Sequence, residues 1–168
     1  DAWPHEASET WPISGTQSGT QTAGVVTTME AATGTLGYVD ASQVTDAMGT
    51  VAVGVGEEFV PFSPEAAAAV VDVSEPAENA TDLRLTLDLA RDTTEAGVYP
   101  IVLISYLMAC SRYESPQDAE NVAALLRYIA SEEAQRRAAR PDVAGSAPIS
   151  DRLRERVLAA VDEIAAAE

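Results

Sequence analysis

Lysine is absent from this chain of 168 residues; all ten of its basic residues are arginine. That absence removes any Walker-type phosphate loop, whose lysine reaches the nucleotide phosphates. Histidine occurs once, at His5, in a polar opening segment. A hydrolytic triad needs a histidine held beside its nucleophile, and a loop near a terminus is a poor holder. Cysteine also occurs once, at Cys110. One cysteine makes no internal disulfide and builds no cysteine-based zinc site. Its place in the apolar run PIVLISYLMAC predicts a buried, inert thiol, with a disulfide to another segment as the alternative. No run reaches the 18 or so apolar residues of a membrane-spanning helix. The chain opens on DAWPHEASETWP, polar and proline-containing, with no secretory leader. That opening reads as a loop and as the start of a processed or truncated product.

What the chain does have is negative charge. Asp and Glu number 27 against 10 basic residues, for a net charge of −17. Such a surface repels nucleic-acid phosphates and anionic lipid. The Ala-rich, Arg-only composition fits a GC-rich genome. The acidity reads either as that bias or as solubilisation in a saline or extracellular setting. Apolar residues make up 46% and charged residues 22%, ordinary for a globular protein. The length suits one domain with a real core.

The pattern along the chain alternates strands and helices, so the expected fold class is α/β. Residues 1–19 read as irregular. Val25, Val26 and Met29 stand at helical spacing within 20–32, with Gly34 as a stop. TLGYV (35–39) reads as a short strand, and VAVGVGEEFVPF (51–62) as a hairpin around Gly54 and Gly56. Ser63-Pro64-Glu65 starts a helix: a hydroxyl cap, a proline in the first turn and an acid facing the dipole. LRLTLDL (83–89) alternates like a half-buried strand. YPIVLISYLMAC (99–110) has the unbroken apolar character of a strand covered on both faces. Ser115-Pro116 opens a helix over 116–139, with Asp118 completing a capping-box-like pattern. Its core face is assigned to Val122, Leu125, Leu126 and Ile129. Ser150 caps a last helix whose stripe is Leu153, Val157, Leu158, Val161 and Ile164. Tyr99-Pro100 reads as a turn into the long strand, with a cis bond as one option.

No constellation of catalytic residues emerges, so the chain is not expected to be an enzyme. No metal site or cofactor is implied. One stretch poses a chemical question. Ser14, Gly15, Thr16, Ser18, Gly19 and Thr20 form a Gly/Ser/Thr tandem leading straight into the first helix. Backbone N–H groups at such a place can cradle an anion. The other reading is a flexible connection.

WPISGTQSGTQTAGVVTTMEAATGTLGYVDAS resembles a segment of the phosphate-binding subunits of high-affinity phosphate ABC transporters. That segment runs W/F-P, a Gly-rich loop, G-V, a short helix and G-x-I/L-G-Y. Trp11-Pro12, Gly15, Gly19, Gly24-Val25, Gly34 and Gly37-Tyr38 supply its landmarks. AGVYPIVLISYLMAC resembles the family's apolar strand returning toward the first lobe. AALLRYIASEEAQRRAA resembles its following helix, and AGSAPISDRLRERVLAAVDEI its closing one. The match is similar to an actinobacterial-type member and to the C-terminal half of the family.

The resemblance implies a type II, two-lobed periplasmic-binding-protein fold, with a central mixed sheet flanked by helices. It assigns 1–98 to a second-lobe segment and 99–168 to a return segment packing toward the first lobe. It implies inorganic phosphate as ligand and a membrane permease as partner. It implies an extracellular, lipid-anchored precursor, and a second chain if the N-terminal half is supplied separately. The family's R-x-D-x-S-G-T loop is not matched. The letters S-G-T occur at Ser14–Thr16, but the first arginine is Arg84. By position, 14–20 matches the family's later Gly-rich connection, with the anion nest as the alternative. A non-catalytic accessory subunit of a cell-envelope complex is the competing reading of the whole chain.

Overall fold

The computed structural model describes residues 4–6, 8 and 10–166; parts of the opening loop and of the final Ala-rich turn lie outside these. The chain is mixed α/β and divides into two compact units, Asp1–Met48 and Gly49–Glu168. The division falls well before the boundary expected at residue 99.

In the first unit, helix α1 spans Gln21–Glu30. It ends sooner than the expected stop: Ala31 caps it in the right-handed region, and Gly34 takes its left-handed φ of +83° in the turn that follows. The Thr35 hydroxyl reaches back to the carbonyls of Met29 and Ala32, at 2.9 and 3.0 Å. The chain then passes beneath Met29 at Gly37, where a Cβ would lie 2.7 Å from Sδ. Residues 35–39 form no strand: they have no ladder partner among the described residues, and Leu36 and Tyr38 are exposed. A short 3₁₀ turn, Ala41–Gln43, follows, with its Ser42 amide donating to Asp40.

The second unit opens with the expected hairpin. Strands β1 (Val53–Val55) and β2 (Glu58–Val60) pair antiparallel, Val53 opposite Val60. Gly54 lies within the ladder and Gly56 makes the turn at φ +58°. Alternation places Val55 and Val60 inward, where they meet Ala66 of helix α2 (Pro64–Val73). Tyr99 packs on this cluster and its amide donates to the Ala66 carbonyl at 3.0 Å. Its ring meets Phe62 edge to face, centroids 5.8 Å apart.

Strands β3 (Glu75–Pro76) and β4 (Leu87–Asp88) form a two-residue antiparallel ladder, all that the alternation over 83–89 produces. Strand β5 (Arg112–Tyr113) pairs in parallel with β6 (Ala165–Ala166). The expected central mixed sheet is therefore corrected: the described residues hold three separate two-stranded ladders.

The expected helix over 116–139 is two helices. Helix α3 covers Pro116–Ala130 and α4 covers Glu132–Ala138. Ser131 breaks them with an extended backbone and caps α4 through its hydroxyl. The last helix, α5, spans Asp151–Asp162, and Val161 of its predicted stripe is buried. Leu153, Val157, Leu158 and Ile164 are half-buried. Serine caps α2, α3, α4 and α5 at Ser63, Ser115, Ser131 and Ser150.

Arg154 joins this helical cluster. Its guanidinium is largely covered, donates to the Ala130 carbonyl at the end of α3, and pairs with Asp151. Cations at helix C-termini are favoured by the dipole. Gln135 adds two bonds, to the Ile129 carbonyl and from the Ile149 amide. Arg154→Ala is expected to cost about 1–3 kcal/mol, because it strips a covered carbonyl of its charged donor. A chemical melt checks this.

The core face of α3 is rotated from the expected one. Ala119, Ala123 and Ala130 are buried, and Val122, Leu126 and Ile129 are half-buried. Leu125 is 57% exposed. Successive turns at 119, 123, 126 and 130 define a stripe that leaves position 125 to one side. Leu125→Ala is accordingly expected to change stability by less than about 0.5 kcal/mol in a urea melt. A loss of roughly 2 kcal/mol or more would restore Leu125 to the core.

The largest departure is 99–110. The stretch is not a strand and makes no ladder. Ile101, Leu103, Leu107 and Met108 are exposed, and so is Cys110, whose thiol is free among the described residues. The Tyr99–Pro100 bond is trans. Apolar character on both faces calls for a partner layer on both, and the fold itself supplies neither.

Candidate functional site

The Gly/Ser/Thr tandem lies in the first unit, exposed except for half-buried Gly19. Ser14 and Gly15 make a turn, with Gly15 at φ +84°. Only glycine adopts that conformation without strain, and a Cβ there would meet nothing within 4 Å. The Thr16 hydroxyl donates to the Ile13 carbonyl at 3.5 Å. The hydroxyls of Ser14, Ser18 and Thr20 have no partner among the described residues.

Gly19 has a different role. A Cβ on it would lie 2.2 Å from the Gly24 carbonyl carbon and 2.3 Å from the Val25 nitrogen. The chain therefore folds back onto the first turn of α1, and glycine permits the contact. A non-glycine residue, Gln21, takes a positive φ of 58° at this bend. The functional reading from sequence named Gly19 but not this packing; the paired glycines at 19 and 24 were its signal.

The start of α1 is unlike the other α-helix starts. Thr20 occupies the cap position with an extended backbone but makes no side-chain cap bond. The first turn carries no acid. No arginine or lysine occurs before Arg84, so an anion held in the first unit would have no guanidinium or ammonium from that unit.

In the second unit two hollows stand out. One, about 490 Å³ and open, is lined by Leu87, Asp88, Leu89, Arg91 and Asp92. Arg91 is committed to structure there, donating to the carbonyls of Pro100 and Val102 at 3.1 and 3.2 Å. The other, about 220 Å³, lies between the end of α2 and α5 and includes Asp72, Arg152 and Arg156. Asp72 accepts from Ser150 and from Arg152, which also donates to the Asp72 main-chain carbonyl. Arg91 in the first hollow, and Asp72 and Arg152 in the second, are thus engaged in holding the fold. Among the described residues no group of three or more His, Cys, Asp or Glu side chains is placed to hold a metal ion. No helix among the described residues is long and apolar enough to cross a membrane.

Comparison with protein-family models, curated proteins and solved structures returned no match.

Proposed function

We propose that this chain is the phosphate-binding component of an ABC-type inorganic phosphate uptake system, or the C-terminal portion of one. The observation that carries the reading is the ordered series of segments, from Trp11-Pro12 through Gly37-Tyr38 to the closing helix at Ile164. The free hydroxyls of Ser14, Ser18 and Thr20 and the uncapped start of α1 are compatible with an anion in reach of the tandem. The finer architecture, a type II two-lobed binding fold at the cell surface with a permease partner, belongs to the same proposal.

Phosphate in such a cleft is held by charge-assisted bonds from two lobes, each contributing about 1.5–3 kcal/mol. The 168-residue chain lacks the arginine loop that the reading requires. It is therefore expected to bind phosphate only in the millimolar range or weaker. Joined to first-lobe segments, it is expected to melt higher in phosphate than in equimolar sulfate. A ligand at a hundred times its dissociation constant stabilises by about 2.7 kcal/mol. Equal melting in the two anions overturns the reading. Micromolar phosphate binding by the chain alone would instead assign the site to the Ser14–Thr20 tandem.

The exposure of the apolar run at 101–109 favours a second reading, a non-catalytic accessory subunit that works by contact. Under that reading neither form of the chain responds to phosphate.

A further inference from the structure

The exposed run that follows Pro100 is uncharged from Val98 to Ser111 in a chain of net charge −17. Leu103 and Met108 are 92% and 95% exposed, and Ile101, Tyr106 and Leu107 contribute further apolar surface. Residues 103–109 make no main-chain to main-chain hydrogen bond among the described residues. The run is nonetheless held at both ends and at its middle. Arg91 grips the carbonyls of Pro100 and Val102, the Tyr106 hydroxyl accepts from the Leu87 amide, and Cys110 donates to the Tyr113 hydroxyl. It is an anchored apolar segment with its backbone groups left open.

We propose that residues 101–109 are the contact through which two copies of this chain associate, paired antiparallel about a two-fold axis at Ser105. Two observations favour a second copy as the occupant. The first is area. The chain exposes 12380 Å². Two separate compact bodies of the lengths of its two units would expose roughly 9,400 Å². That surplus is spread over the whole chain, and the run holds part of it; a stable interface hides roughly 800 Å² per partner. The run's contribution comes from Ile101, Leu103, Tyr106, Leu107 and Met108, each about half exposed or more.

The second is charge. The run begins beside Asp88 and Asp92, which line the hollow around Arg91 and have no cation partner among the described residues. It ends at Arg112, whose guanidinium meets only main-chain carbonyls, of Ser111 and Glu163. Antiparallel pairing carries the basic end of one copy to the acidic start of the other. Pairing about Ser105 sets Leu103 against Leu107 across the ladder, the kind of apolar cross-strand pair that stabilises sheets.

This inference stands apart from phosphate binding, and neither result decides the other. Sedimentation velocity of the whole chain at tens of micromolar is expected to show a dimer, with the amides of 103–109 slowed in hydrogen exchange. Leu103→Asp should weaken association by about 30-fold or more, as for a hot-spot residue, with unchanged circular dichroism. In a Cys110→Ser background, Ser105→Cys should oxidise to a covalent dimer, because a residue on the axis faces its own copy at about 5 Å between Cβ atoms. Ser111→Cys in the same background should not. A monomer with freely exchanging 103–109 amides overturns the proposal. So does a dimer that survives Leu103→Asp, or equal cross-linking at positions 105 and 111.

Discussion

Val70→Asp is expected to leave the unit from Gly49 to Glu168 largely unfolded at room temperature. Val70 sits in the middle of α2 at 0% exposure, the largest side chain so completely enclosed. The buried set is otherwise small: valines, alanines and Pro100, with no buried polar or charged side chain among the described residues. An aspartate at 70 would therefore meet no buried polar side chain among the described residues. An uncompensated buried charge costs roughly 3–5 kcal/mol, and protonating it to escape the charge still leaves a polar group unpaired. Domains of this size have about 5–15 kcal/mol in total. A core without a single buried Leu, Ile or Phe belongs near the bottom of that range, since burial of apolar area is the main favourable term. Val70→Ala gives the calibration. It removes only two methyl groups and should cost roughly 1–2 kcal/mol. Urea melts of the two variants separate the cases. If Val70→Asp loses less than about 1 kcal/mol, α2 does not pack as described.

The poverty of that core explains which parts of the fold were legible in the sequence. Helix starts are local. A serine, a proline and an acid within four residues specify the first turn by themselves, and Ser63, Ser115 and Ser150 all cap where the sequence places them. The α5 stripe is legible for the same reason: its period is written within a dozen residues. Strands are not local. The 83–89 alternation and the apolar run at 99–110 both carry strand-like patterns, yet a strand exists only where a second backbone lies alongside. Leu87–Asp88 finds Glu75–Pro76; residues 103–109 find nothing among the described residues. Leu125 failed for a subtler reason. A Leu-Leu pair at 125 and 126 lets the helical stripe be drawn on either side, and small alanines at 119, 123 and 130 decide it. Alanine allows close helix packing without advertising itself as core.

The tandem at 14–20 shows the same limit at the candidate site. Its glycines look alike in sequence, but Gly15 faces open space and Gly19 touches the backbone of α1. Different outcomes follow from replacing them. Gly19→Ala is expected to displace the whole entry into α1. Its Cβ would stand 2.2, 2.3 and 2.4 Å from the Gly24 carbonyl carbon, the Val25 nitrogen and the Gly24 oxygen. All three are backbone atoms of a helical turn, so none can swing aside as a side-chain tip would. Overpacking of this kind costs about 1–3 kcal/mol where neighbours can shift, and here they cannot without breaking the turn. The loss should be local: faster hydrogen exchange at Val25 and Val26, and reduced helical ellipticity, with the second unit unaffected. Gly15→Ala meets no atom and should cost only about 1 kcal/mol, from forcing an L-residue into the left-handed region. Gly24→Ala is closer to balance. Its Cβ would lie 3.1 Å from the Gly19 carbonyl carbon, a slight overlap. The helix gains up to about 1 kcal/mol from replacing glycine with alanine. If Val25 and Val26 exchange as slowly in Gly19→Ala as in the parent chain, the close approach does not exist. The tandem is then a free loop, and its hydroxyls and amides are open to arrange themselves around an anion. If exchange accelerates sharply, Gly19 is spent on holding the chain against α1, and only Ser14 to Ser18 remain free to serve a ligand.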